Sequence, residues 1–407
     1  MRLIVVCGVA FALCMAGYSA FSADLDDADL DARIEKVRKG DFTVKLVDEN
    51  GKPVTGPVKY ELKRLAFDLG TCINEKMFEE GPPSPEAVKY REILAKYFNS
   101  AVHEQDFKWK SVEMVPGRYD DSSAMRQWKW CNEHGISMRG HCIFWGTERF
   151  VQPWLKVLKK DDLEIAMKDR VRRVMTDYKG KITDFDVNNE MMRGDYYAKV
   201  LGINSGAAYF KWCKEINPDA VLYTNEYNIV AANQVDKYVT HLKQLIADGA
   251  PVGGIGDQGQ FHSGVPSNAK VWAVFDKLAQ FNLPITITEF GLFTTDERAQ
   301  ADDLSRFFRL CFAHPSIKGI YMWGFWEGQI YTPESALWRN NWGPKRAGKE
   351  YIKLVEGLMT KGECVADIDG KINIRGYYGD YVVEYNNRRC SVNFQAGKKT
   401  ANCILKP

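Results

Sequence analysis

The chain has 407 residues, of which 45% are hydrophobic and 27% charged. That composition belongs to a folded chain able to bury a sizeable core, and it excludes a disordered one. Lys and Arg number 55 against 53 Asp and Glu, a net charge of +2, so neither nucleic acid nor an anionic membrane is expected as a partner.

Met1-Arg2 leads into an apolar run from Leu3 to about Gly17, followed by small residues at Ser19, Ala20 and Ser22. This is the pattern of a signal peptide over residues 1–22, cut after Ser22. The run is too short to span a membrane comfortably. The mature chain is therefore expected to be secreted or periplasmic, free of the membrane, and monomeric. Eight of the ten cysteines follow the leader, with no CxxC and no clustering with His. No metal site is expected from them. An oxidising compartment permits a bridge in the tail, with Cys390 and Cys403 the expected pair. Cys72, Cys131, Cys142, Cys213 and Cys311 read as buried thiols.

Residues 23–63 read as a small N-terminal β-layer. Thr43–Val47 alternates, Asp48-Glu49-Asn50-Gly51-Lys52-Pro53 is a turn, and Val58–Leu62 alternates again. Over residues 64–360, short apolar segments alternate with longer amphipathic ones. Strands are expected at Leu65–Gly70, Ser100–His103, Ser137–Phe144, Asp184–Val187, Ala220–Thr224, Gly253–Gly256, Ile285–Glu289 and Gly319–Phe325. Helices are expected at Ser84–Tyr97, Asp121–His134, Asp161–Tyr178, Ala207–Ile216, Asn233–Asp248, Asn268–Gln280 and Asp296–His314. Gly135, Gly249 and Asn217-Pro218 sit where helices should stop. Eight strand–helix units predict an α/β fold of the (β/α)8 TIM-barrel type rather than an open sheet. No GxGxxG or Walker loop follows any strand, which weakens a nucleotide-binding reading. Residues 361–407 form a C-terminal β-rich tail, with strands at Lys371–Ile374, Tyr381–Tyr385, Ser391–Phe394 and Ala401–Leu405. It is too small to stand alone without a bridge or docking onto the barrel.

Chemistry in a barrel collects at the C-terminal ends of its strands. The second strand runs into Glu104, Gln105, Lys108 and Trp109, and the third into His141 and Trp145. The fourth ends in Asn188, Asn189 and Glu190, and the fifth in Asn225, Glu226, Tyr227 and Asn228. Gln258, Gln260 and His262 follow the sixth, Glu289 ends the seventh, and Trp323, Trp326 and Glu327 follow the eighth. Amides and carboxylates hydrogen-bond hydroxyls, and indoles stack on sugar rings. The set lacks the basic cluster that a phosphate substrate would need. Two glutamates facing each other across a barrel mouth suit glycoside cleavage, one protonated to assist the leaving oxygen and one ionised. A lone buried glutamate is as readily half of a structural ion pair. Two of them, each ending a strand, make that reading much weaker.

At these residues the sequence resembles glycoside hydrolase family 10, the retaining β-1,4-xylanases, over roughly residues 64–358. Asp186-Val187-Asn188-Asn189-Glu190 matches the acid/base motif, in the Asn-Asn-Glu-Met form of a plant-like branch. Ile287-Thr288-Glu289-Phe290 matches the nucleophile motif. Weaker matches are Arg139-Gly140-His141 with Trp145, Asn225-Glu226-Tyr227-Asn228, Gly254-Ile255-Gly256-Asp257-Gln258, and Trp323-Gly324-Phe325-Trp326-Glu327-Gly328. The resemblance implies that Glu190 protonates the leaving oxygen and then activates water, while Glu289 forms the glycosyl-enzyme. Asn189 would bond the 2-hydroxyl of the sugar under attack. Glu104, Lys108, His141 and Trp145 would line the non-reducing side of the cleft. Tyr227 and Gln258 would line it further on, and Trp323 would floor the subsite where the bond breaks. Gln105, Gln260 and Trp326 complete the expected substrate-binding set, with xylan or a related β-glycan as partner and no cofactor.

Five positions depart from the family's pattern. Gln105 stands for Asn, Gly146 for His, Gln260 for a His that orients the nucleophile, Gly291 for Asp, and Tyr331 for Trp. The Gln260 amide retains the capacity to donate to Glu289 but carries no charge. His262, two residues on, is a candidate substitute if the segment is extended; an exposed loop histidine is the plainer reading. His103 suits either a cleft wall or the core. Trp128, Trp130, Trp154, Trp212 and Trp272 fall on helices and read as core. Two other functions stay open: a carbohydrate-binding protein on a decayed hydrolase fold, and a hydrolase of another β-glycan.

Overall fold

The computed structural model describes residues 25–203 and 206–406; the expected leader lies outside the described residues. A helix, Asp27–Arg38, comes first and is followed by strands β1 (Lys39–Val47) and β2 (Gly56–Leu65). Eight parallel strands then close a barrel: β3 (Asp68–Ile73), β4 (Ser100–His103), β5 (Ser137–Gly140), β6 (Asp184–Asn189), β7 (Val221–Glu226), β8 (Gly254–Asp257), β10 (Ile285–Leu292) and β11 (Ile317–Met322). The pairing of β11 with β3 shuts it, and the two-residue strand β9 (Gln260–Phe261) extends β10 at the rim. These strands are buried almost throughout because both faces are covered, by helices outside and packed side chains within. Large and small residues alternate across the lumen. Tyr321 lies where any side chain at Gly70 would sit, 2.2 Å from its would-be Cβ, and Tyr223 does the same to Gly254 at 2.3 Å. The Arg139 guanidinium lies over the Tyr223 ring at 4.4 Å, so the floor beneath the rim is solid.

The helix stops take the form expected. Gly135 and Gly249 have φ of +69° and +82°, the left-handed conformation that ends a helix cheaply only at glycine. Ser84 caps the helix Pro85–Tyr97, accepting from the Ala87 N–H with Pro85 in the first turn.

Outside the barrel the structure differs from the expectation of a separate layer and tail. Residues 23–63 hold a helix as well as strands, and β2 runs on to Leu65, so the first barrel strand starts at Asp68. The tail has five strands: β12 (Lys361–Ala366), β13 (Lys371–Tyr377), β14 (Gly379–Tyr385), β15 (Arg388–Phe394) and β16 (Thr400–Ile404). They interleave with the N-terminal pair. One sheet runs β13-β1-β16 and the other β12-β2-β14-β15. Phe42 of β1 stacks on Phe394 of β15 at 3.9 Å, joining the two inner faces. A disulfide from Cys390 on β15 to Cys403 on β16, the expected pair, staples the sheets together. The N-terminal helix ties this sandwich to the barrel. Arg309 on the helix Glu297–Ala313 pairs with Asp31 at 2.7 Å. Arg38 donates to the carbonyls of Phe312, His314 and Ile317 at 2.6–2.8 Å.

Candidate active site

Strand β6 is buried along its whole length and delivers Asn189 and Glu190 to the rim. Glu190 turns the chain there with φ 61° and ψ 39°, a left-handed conformation that a residue with a side chain adopts at a cost. Its backbone N–H donates to the Asn225 carbonyl at 2.9 Å. Both oxygens of its carboxyl accept an N–H: Oε2 from the Trp145 indole and Oε1 from the Gln258 amide, each at 3.0 Å.

Glu289 rises from β10 and is 5% exposed. Its Oε1 accepts from Asn225 Nδ2 at 2.9 Å and its Oε2 from Gln260 Nε2 at 3.2 Å. The same Asn225 amide donates to Asn189 Oδ1 at 2.9 Å, so one side chain of β7 joins the ends of β6 and β10. Burial pushes the Glu289 carboxyl up to about 8; the charge of Glu190 adds to this, while the Lys108 ammonium and the Asn225 hydrogen bond oppose it. Burial thus favours the neutral form of Glu289 in the open cleft.

Beneath them Asp186 is clamped between Arg139 and His141, whose Nδ1 lies 2.9 Å from Asp186 Oδ2. Burial opposes ionisation of Asp186, but Arg139 and then His141 outweigh it and hold the carboxyl below its usual range. With Nδ1 engaged there, the ring presents Nε2 to Glu289 Oε1 at 3.9 Å. Burial lowers His141 itself, favouring the neutral ring.

The other expected residues are held by neighbours of their own. Lys108 is buried, with its ammonium 5.0 Å from the Trp145 ring and 5.7 Å from the Trp323 ring, and its Nζ reaches Gln105 Oε1 at 3.4 Å. Trp323 stands edge-on to His141. Asn74 holds Glu104 at 3.0 Å. Tyr227 lies under the Arg193 guanidinium at 4.1 Å. Trp326 is 6% exposed and stacks on Trp342 at 4.1 Å, so it packs as wall more than as an open platform. His103 is buried against the Ala124 carbonyl, on the core side of the two readings. His262 is exposed, stacks on Phe293, and leaves Gln260 as the donor to Glu289. Sequence reasoning placed Asn225 at a strand end but gave it no role. It missed Phe150, which stacks on Trp145 at 3.5 Å. Among the described residues no three His, Cys, Asp or Glu side chains form a group able to hold a metal.

Two carboxyls set among amides and indoles make an arrangement suited to acetal chemistry. Comparison with known families agrees: residues 60–354 match the model of glycosyl hydrolase family 10. The chain belongs to that family. Anti-sigma-I factor RsgI6 of Acetivibrio thermocellus is 34% identical over 353 residues, which are 86% of this family-10 chain and 45% of that protein. Endo-1,4-beta-xylanase 2 of Arabidopsis thaliana is 33% identical over 379 residues, 91% of this chain and 35% of the relative. The chain thus spans less than half the length of these two relatives. Among solved structures, xylanase 10B from Thermotoga petrophila in complex with xylobiose superposes with a TM-score of 0.65 at 24% identity, covering 72% of this chain and 94% of that one. That likeness concerns the fold.

One departure from the family-10 pattern, Gly146, has a local cause. A Cβ at Gly146 would lie 2.7 Å from Asp195 Oδ1, because Asp195 fills that space. Asp195 accepts from Asn188 Nδ2 at 3.1 Å, and Asn188 Oδ1 accepts the Gly146 N–H at 2.9 Å. Gly291 faces the Phe293 ring, and Tyr331 is 80% exposed.

Proposed function

We propose that the protein is a retaining endo-β-1,4-xylanase. The observation that carries this is the pair of carboxyls, each with both oxygens held by N–H donors from separate chain segments. Glu289 attacks the anomeric carbon and forms an ester to the sugar, while Glu190 gives its proton to the departing glycosidic oxygen. Glu190 then takes a proton from water, the oxygen of that water bonds to the anomeric carbon, and Glu289 leaves as carboxylate. Asn189 sits where it can bond the 2-hydroxyl, held by Asn225. Neutral His141 beside Glu289 puts no second charge on the nucleophile. Lys108, Trp145, Trp323 and Tyr227 bind the polymer. Xylan as substrate is supported by the relatives named endo-1,4-beta-xylanase. Export is supported by the leader pattern and by the Cys390–Cys403 bridge, since disulfides persist in oxidising compartments.

The test is reducing-sugar release from xylan, β-glucan and cellulose, with the first product's anomeric configuration read by NMR. Release from xylan as the β-anomer is expected. Retention of xylan on the protein with no product would leave a binding protein, and an α-anomer would remove the nucleophile role of Glu289.

A further inference from the structure

The chemistry above makes no use of Glu226, the last residue of β7, although its side chain is buried within the site's framework. It is 1% exposed. Its Oε1 accepts the Met192 backbone N–H at 2.7 Å, and its Oε2 has no partner among the described residues. Met192 lies in the single 3-10 turn Met191–Arg193 that leaves Glu190. That turn has little support of its own, with one bond of 3.0 Å from the Arg193 N–H to the Glu190 carbonyl and one of 3.3 Å from Gly194 to Met191. Glu190 must nonetheless hold φ 61° for its carboxyl to reach Trp145 and Gln258. The anchors on either side of that residue both come from β7: the Asn225 carbonyl takes the Glu190 N–H, and the Glu226 carboxyl takes the Met192 N–H.

We infer that Glu226 is a positioning residue for the general acid, locking the left-handed turn that aims Glu190 at the glycosidic oxygen. This rests on the reading of Glu190 as acid/base. Burial pushes the Glu226 carboxyl up to about 8, so at neutral pH it is mostly the neutral acid and a glutamine amide is a close substitute. The carbonyl of that amide accepts from Met192 as Oε1 does.

The experiment uses leaving-group dependence. Xylan needs a proton on its leaving oxygen; a dinitrophenyl β-xylobioside departs without one. Glu226→Ala is expected to lower kcat/KM on xylan by about 10²-fold, the scale of a misplacement near 1 Å. The activated substrate should lose little, and Glu226→Gln should keep both activities. Equal losses on the two substrates, or full activity of Glu226→Ala on xylan, would overturn the inference. If Glu226→Ala fails to fold, Glu226→Asp, one methylene shorter, should show the same selective loss in smaller measure; a uniform loss there also overturns it. Glu190→Ala is run alongside. If it too loses both substrates equally, the acid/base reading itself falls. If it is selective and the Glu226 variants are not, only this inference falls.

Discussion

As the proposed nucleophile, Glu289 attacks only when ionised. Burial, with the charge of Glu190 adding to it, pushes its carboxyl up to about 8, so its ionised fraction grows as pH rises through neutrality. We expect kcat/KM on soluble xylo-oligosaccharides to rise from about pH 6 to about pH 8. A profile already level from about pH 5 upward would show that Glu289 ionises more readily than its burial allows. Glu289→Ala should cut turnover on xylan by roughly 10⁴-fold or more, the scale seen when a covalent nucleophile is removed; appreciable residual hydrolysis would dismiss it as the nucleophile. Gly146→His, which restores the side chain of the family's pattern, should destabilise by about 1–3 kcal/mol through overpacking, because Asp195 already fills that space. Activity should fall with it as neighbouring Trp145 shifts from Glu190. A thermal melt beside a xylan assay reads both; an unchanged melt would show that the space around Gly146 can open. Glu190 and Glu289 were legible because each falls in a short motif, Glu190 just past the end of β6 and Glu289 within β10. The two hydrogen bonds that Asn225 donates were not: its partners lie 36 and 64 residues away and meet it only across the closed barrel.

At the scale of elements, the barrel strands stood out because burial on both faces makes them apolar runs cut short by turns. Of the helices that escaped notice, Asp27–Arg38 and Arg346–Gly357 are the longest. Asp27–Arg38 buries only Leu30 fully, and its stability comes from a capping box at Asp26 and from partners on the barrel. Arg346–Gly357 buries Ala347 and Gly348 beside Tyr351 and Val355, since the Leu337 carbonyl comes within 2.2 Å of where a Gly348 Cβ would stand. Arg38 ends the first of these helices and reaches three barrel carbonyls. Arg38→Ala should lower stability by about 1–3 kcal/mol, the charged hydrogen bonds being half-exposed. Thermal unfolding would drop by a few degrees with kcat unchanged; a loss of kcat would mean that the sandwich acts on the cleft.

For the whole molecule, the sandwich is neither a leader-side layer nor a removable tail. β1 pairs with β13 on one side and β16 on the other, and β2 lies between β12 and β14. Deleting residues 361–407 should therefore yield little soluble protein rather than a trimmed enzyme, because β1 and β2 would lose every sheet partner and expose bare edges. Soluble yield and a circular-dichroism melt test this; a folded, active truncation would show that the barrel stands alone. The bridge closes a loop of 13 residues, worth about 3 kcal/mol to the folded sandwich. The groove of about 960 Å³ beside it is lined by charges that largely pair among themselves, Lys59 with Glu363 and Arg389 with Glu384, and it holds nothing like the facing glutamates of the rim.

The interleaving of β1 with β13 also sets a timetable. Some 320 residues separate the two strands in the chain. At the usual 5–20 residues per second of synthesis, β1 emerges roughly 15–60 s before its first partner exists. Through that interval a strand carrying Phe42, Val44 and Leu46 must stay unpaired while the barrel grows between the two halves of its own sheet. Strands made some 320 residues later are thus the ones that let β1 pair.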